Sequence, residues 1–145
     1  MLLDEIHIQW ETDTDMNPAE LAEEARKLPK LHAKYYRYYT HEHGIKRKLE
    51  HDLKRLIVLR TEWYDGSMAE EDLKELGWLP CLKRTPKSYS KDLLDGDPLI
   101  IKVKLKIGDQ AEKVELLESI IKSVNNRGFL IKSMIDWAKF TSGAG

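Results

Sequence analysis

Residues 98–110 read PLIIKVKLKIGDQ, and two periods compete within them. Ile101, Val103, Leu105 and Ile107 alternate with Lys102, Lys104 and Lys106, the pattern of a strand with one wet face. Val103 and Ile107 also begin a run of four- and three-residue steps through Gln110, Val114, Leu117, Ile121 and Val124. Asp97 and Pro98 stand where an N-cap and a first-turn proline belong. The helical period accounts for more residues, although Gly108 inside a helix costs about 1 kcal/mol against Ala. Helix is therefore expected here, and with it an all-α fold.

Downstream, the stretch VNNRGFLIKSMIDWAKF (residues 124–140) carries Asn125, Asn126 and Gly128, residues that often end helices. The seam nevertheless passes through Gly128 and resumes at Ile131, Ile135 and Ala138. Loop and helix are both open by local propensity; phase continuity favours one helix over about 98–140, bent or not. Such a helix spans roughly 65 Å at about 1.5 Å per residue and cannot bury its stripe alone. It must pack on another helix of the chain, on a second copy, or on both. The expected oligomerisation set is Val114, Leu117, Ile121, Val124, Arg127, Gly128, Phe129, Ile131 and Ile135. In that reading Gly128 admits a neighbouring backbone, Phe129 anchors it, and Arg127 pairs with an acid across the interface.

Upstream, Leu2, Leu3, Ile6 and Trp10 fit one helical face, although Ile6, Ile8 and Trp10 also alternate. Asn17, Pro18 and Glu20 predict the start of a helix whose stripe is Leu21, Ala25 and Leu28, with Pro29 ending or kinking it. A second seam runs Leu31, Tyr35, Tyr38, Glu42, Ile45, Leu49, Asp52, Leu56, Leu59 and Trp63. One helix over about 30–65 is the economical reading, and a hairpin turning at His43 and Gly44 is the alternative. Asp65-Gly66 stops it, Ser67 and Glu70 predict a capping box, and Gly77 predicts the end of a short helix. The expected protomer is elongated and mainly α, a single domain over 1–145. Its parts are a helical part (1–66), an irregular connector (67–97) and a C-terminal oligomerisation helix (98–145).

The formal net charge of -1 hides a polarity. Residues 1–24 hold eight acids and no Lys or Arg; residues 25–60 hold eleven basic residues against three acids. A basic half of this kind suits a polyanion, and an acidic half suits a basic partner or shields the basic one. Cys81 is the only cysteine, so no disulfide framework or thiolate cluster is available, which fits a reducing cytosol. No secretory leader and no apolar run of membrane-spanning length is visible.

No catalytic motif is present, so no enzymatic activity, metal or cofactor is expected. His41, His43 and His51 lack the spacing of a zinc finger or metalloprotease helix and read as surface histidines. What remains is binding chemistry. Lys46, Arg47, Lys48, Lys54, Arg55 and Arg60 lie on the long helix, and Lys34, Arg37, Tyr36 and Tyr39 interleave upstream in KYYRYY. Cations track phosphates while aromatic faces stack unpaired bases, so sequence-tolerant single-strand binding is favoured over groove reading. A coiled-coil adaptor binding proteins only is the runner-up.

Taken in order, LDEIHIQW, LAEEARKLPKLHAKYY, EWYDG and ESIIKSVNNRGFLIKSMIDWAKF resemble the UvsY family of phage recombination mediators. The resemblance implies a non-enzymatic accessory of homologous recombination and repair in the cytoplasm of an infected bacterial host. Its partners would be single-stranded DNA, a phage RecA-like recombinase and the phage single-strand-binding protein, whose coat it weakens while the recombinase filament loads. It implies ring-shaped homo-oligomers in the hexamer or heptamer range, assembled largely through the C-terminal helix. Basic residues shortly before the aromatic pair matching Trp63-Tyr64 are implicated in DNA binding. Arg60 keeps that chemistry, whereas Val58 stands where relatives can have Lys, with Lys54 and Arg55 placed to compensate.

Overall fold

The computed structural model describes residues 1–86 and 89–143. Five helices form among them: α1 (Leu3–Asp13), α2 (Leu21–Asp65), α3 (Glu70–Leu76), α4 (Ser90–Asp95) and α5 (Pro98–Thr141). The period conflict in 98–110 resolves as helix. Asp97 Oδ1 accepts the backbone N–H groups of Leu99 and Ile100, at 2.9 and 3.2 Å, and Pro98 occupies the first turn, where its missing donor is harmless. The Asn-Gly marks at 125–128 leave α5 uninterrupted.

Several local start and stop signals are overridden. Pro29 lies inside α2, and Gly44 does not break it, so 17–28 and 30–65 are not separate helices and no hairpin turns at Gly44. Pro29 and Ala25, whose carbonyl loses its helical donor, are both exposed and can be hydrated there. Asn17 is not the N-cap of α2; its Oδ1 closes a turn on the Ala19 N–H at 3.0 Å before the helix begins at Leu21. The capping box at Ser67 does not form either. Ser67 donates its N–H to Asp65 Oδ1, and Ala69 precedes α3 without a side-chain cap. Gly66 and Gly77 both take the left-handed conformation that glycine admits cheaply, at φ 77° and 71°.

The chain divides into two compact units, Met1–Gly44 with Gln110–Gly145, and Ile45–Asp109. In the first, Ile6, Tyr35, Leu117, Ile120 and Val124 form a buried cluster, with Trp10, Leu28, Leu31 and Tyr38 packed against it. Trp10 meets Tyr35 edge-on at 5.4 Å, and Tyr35 meets Tyr38 likewise at 5.7 Å, the favoured aromatic geometry. The two polar interruptions of the seams answer each other. Gln110 Nε2 donates to the Glu42 carboxylate at 2.6 Å and to its carbonyl at 2.7 Å, so neither is buried without a partner.

The second unit is the later part of α2, α3, the connector, α4 and the start of α5. Trp63 Nε1 donates to the Leu79 carbonyl at 2.7 Å and fastens the connector to α2. The Thr85 N–H donates to the Tyr64 carbonyl at 2.8 Å and does the same further along.

Candidate nucleic-acid interface

On α2, Arg47 and Lys54 are seven residues apart, as are Lys48 and Arg55, so an α-helix sets them in two adjoining rows. All four are exposed and have no ion-pair partner among the described residues. Lys46 is half-buried and loosely paired with Glu50 at 3.8 Å. Lys102, Lys104 and Lys106 on α5 add three exposed cations to the same unit. The sequence reading left them out of the candidate set, although the alternation that suggested a strand was the signal that they face solvent.

Arg60 is placed differently. Its Nε and Nη2 both donate to Asp97 Oδ2 at 2.8 Å, and its guanidinium lies 4.2 Å from the Trp63 ring and 4.8 Å from the Trp78 ring. It is buried, so the expectation of a phosphate-contacting Arg60 gives way to an internal clamp between α2, the connector and α5. Tyr64 Oη donates to the same Asp97 oxygen at 2.7 Å. Burial pushes the Asp97 carboxyl up, but the hydrogen bonds from Tyr64, Arg60 and the Ile100 amide, with the adjacent guanidinium charge, hold it below the usual carboxylate range. The same oxygen and the cap oxygen thus serve two structural roles in one side chain.

The other candidates belong to the first unit. Lys34 is taken by Asp13 at 2.6 Å, while Arg37 is exposed. Tyr36 is half exposed, and Tyr39 donates its hydroxyl to Glu118 at 3.3 Å. The two rings belong to a ladder that the sequence reading saw only in part. His32 stacks on Tyr36 at 5.8 Å, Tyr36 lies 6.0 Å from Tyr39, and Tyr39 lies 5.5 Å from His43. Steps of four, three and four along α2 were the available signal.

The expected oligomer contacts are largely consumed within the chain. Val114, Leu117, Val124 and Ile131 are buried in the protomer, with Ile121 and Ile135 half-buried. A Val/Leu seam beside an apolar face of its own chain is covered there first. Arg127 does not wait for an acid on another subunit. It donates to the carbonyls of Asp13 and Asp15 at 2.8 and 3.0 Å and faces the Glu24 carboxylate at 3.5 Å. Gly128 approaches the Leu28 side chain of its own protomer, where an added Cβ would lie 3.8 Å away. Phe129 is exposed, with Leu130, Trp137 and Phe140, and the last two stack at 5.7 Å. In the C-terminal part of α5 the protomer therefore leaves this outer apolar group exposed and covers most of the seam.

The family profile described as "Recombination, repair and ssDNA binding protein UvsY" matches residues 9–144. The chain belongs to the UvsY family. Three crystal structures of the bacteriophage T4 recombination mediator protein UvsY share the fold. The lattice type IV structure has a TM-score of 0.83 at 18% identity, covering 97% of this chain and 99% of the other. The lattice type II structure scores 0.83 at 20% identity over 98% of both chains, and lattice type I scores 0.81 at 19% over 94% and 98%. No curated protein matches significantly. The five-helix, all-α architecture is thus the UvsY architecture, kept although about four residues in five differ. No helix is long and apolar enough to cross a membrane among the described residues.

Proposed function

We propose that this UvsY-family chain is a recombination mediator that holds single-stranded DNA on the exposed cations of its second unit. The observation that carries this reading is the double row Arg47, Lys48, Lys54 and Arg55, four exposed cations without ion-pair partners among the described residues, in a chain of near-zero net charge. Unpaired cations on a rigid helix give sequence-tolerant phosphate contacts, and copies of the chain in a ring multiply weak contacts by raising effective concentration. Held on such a ring, the strand adopts a path that the single-strand-binding coat tolerates less well than the RecA-like recombinase does, and the filament loads. The work is done by binding alone, without a chemical step, in the cytoplasm of the infected host. Self-association uses the exposed Phe129, Leu130, Trp137 and Phe140 group, an apolar surface of the kind subunit contacts cover.

A salt titration of labelled oligo(dT) binding tests the reading. Replacing Arg47, Lys48, Lys54 and Arg55 together by Ala is expected to flatten the log–log salt slope by about 3, at roughly 0.7 per lost contact, with the melting temperature unchanged. An unaltered slope would sink it and favour an adaptor that binds proteins only. Assembly is tested separately: Trp137→Glu with Phe140→Glu should leave a folded, lower-mass species by light scattering.

A further inference from the structure

We propose that the cleft beside Trp63 and Tyr64 seats one unpaired nucleobase of the bound strand. The inference rests on the single-strand-binding reading above and extends it from phosphate contacts to a base contact. The cleft measures about 450 Å³, within the range of small-molecule sites, and its walls include Trp63, Tyr64, Cys81, Leu82 and Leu93. Among the described residues Lys83 is the only charged side chain lining it, and no carboxylate does so. An apolar, aromatic-walled space with a cation on its lining suits a flat, neutral ring carrying a phosphate. Aromatic faces stack bases of any sequence, which matches a protein that must accept any strand.

The walls are set before any ligand arrives. The Trp63 indole is held by its bond to the Leu79 carbonyl and by the Arg60 guanidinium on its ring. Tyr64 is held by Asp97 through its hydroxyl. Binding on fixed side chains loses less conformational freedom than ordering loose ones. Leu82, one of the walls, is fully exposed, so the connector presents apolar surface that a stacked base would cover. Arg84, exposed beside Lys83, and Lys54 and Arg55 in the same unit supply cations for the flanking phosphates. This also gives the Arg60–Asp97 clamp a purpose: it positions the aromatic walls instead of touching DNA.

Cys81 lines the cleft and is the only cysteine of the chain, so its alkylation by iodoacetamide reports on the cleft in the unmodified protein. Two strands of equal length are compared at saturation, oligo(dT) and its fully abasic counterpart, with binding of each followed by anisotropy. Oligo(dT) is expected to slow alkylation at least about 5-fold, and the abasic strand less than about 2-fold. Equal slowing by both strands, or slowing by neither, overturns the base seat while leaving phosphate binding intact; the latter is also the result if an apolar peptide is the true occupant. Failure of both strands to bind overturns the function and the seat together. As a second arm, Leu93→Trp fills the cleft. It should bring oligo(dT) affinity at about 0.2 M salt down to that of the abasic strand and keep the salt slope. A base preference that survives in this variant places stacking elsewhere, the His32–His43 ladder included, and overturns the proposal.

Discussion

Each unit of the molecule is organised around one buried arginine, and the two arginines do opposite things with charge. Arg127 gathers the acidic N-terminal segment: two backbone carbonyls and Glu24 converge on it, while Asp13 is engaged by Lys34 and Tyr35. Arg60 gathers one acid, Asp97, and three aromatic rings, leaving the neighbouring cations of α2 without partners. The polarity written along the chain is therefore not a pair of binding faces. Of the acidic end, Asp13 and Glu24 are spent on folding the first unit, and the basic residues Arg47, Lys48, Lys54 and Arg55 of the second unit are surface.

Removing an anchor should produce the largest effects. Asp97→Ala deletes an N-cap and leaves Arg60 buried without its partner, a combined loss of about 4 kcal/mol. A fall in melting temperature of roughly 12 °C is expected by calorimetry. Asp97→Asn keeps the cap, since Asn caps as well as Asp, and should lose distinctly less. Equal losses for the two variants would show that the cap contributes nothing, whereas an Asp97→Asn variant melting like the parent would show that the charge pair contributes nothing and break the account of Arg60 as a clamp. Arg127→Met comes next, at about 3 kcal/mol, because it leaves the Asp13 and Asp15 carbonyls without donors and Glu24 without its buried cation. A variant melting like the parent would mean that the acidic segment is solvated after all.

Acid should act on both units through the same kind of group. The Asp13 and Asp97 carboxyls are each raised by burial and lowered more by their partners, Lys34 and Tyr35 in one case and Tyr64 and Arg60 in the other. Both end below their ordinary value of 3.8. A depressed carboxylate contributes stability that is fully present above its unfolded value and lost as pH falls through the folded one. Melting temperature should therefore hold steady from neutral pH to about pH 4 and drop below it. In Asp97→Asn that drop should be shallower; an identical acid limb would remove Asp97 from the explanation.

Much of this architecture was readable before any coordinates. The Asp97-Pro98 start, the α5 seam and its passage through Gly128 all follow from local chemistry and a long period. What failed to show was of two kinds. The stop signal at Pro29 is outweighed by helix on either side, because a proline perturbs about one turn while the seam runs for many, and the start signals at Asn17 and Ser67 form local turns ahead of helices that begin three or four residues later. The fates of Arg60 and Arg127 depend on partners 37 and 103–114 residues away, and no spacing rule connects an arginine to a distant carboxylate or carbonyl. Arg60, read as a phosphate contact, and Arg127, read as pairing with an acid of another subunit, both find their partners inside their own chain. The free cations Arg47, Lys48, Lys54 and Arg55 were placed correctly on an exposed helix face, because charged residue types read as solvent-facing by default.

The smallest test concerns glycines, one on a long helix in each unit. Gly44 in α2 and Gly108 in α5 have helical backbones, and a Cβ added at either meets nothing within 4 Å. Ala at each should stabilise by about 0.5–1 kcal/mol, because glycine loses more backbone freedom on folding and gains no contact in return. A rise of about 2–3 °C per substitution is expected. Gly66→Ala must go the other way: its φ of 77° disfavours any side chain, and its Cβ would sit 2.6 Å from Arg84 Cδ. If Gly44→Ala raises the melting temperature and Gly108→Ala lowers it, α5 needs backbone freedom that α2 does not. The difference between the units would then lie in their helices as well as in their arginines.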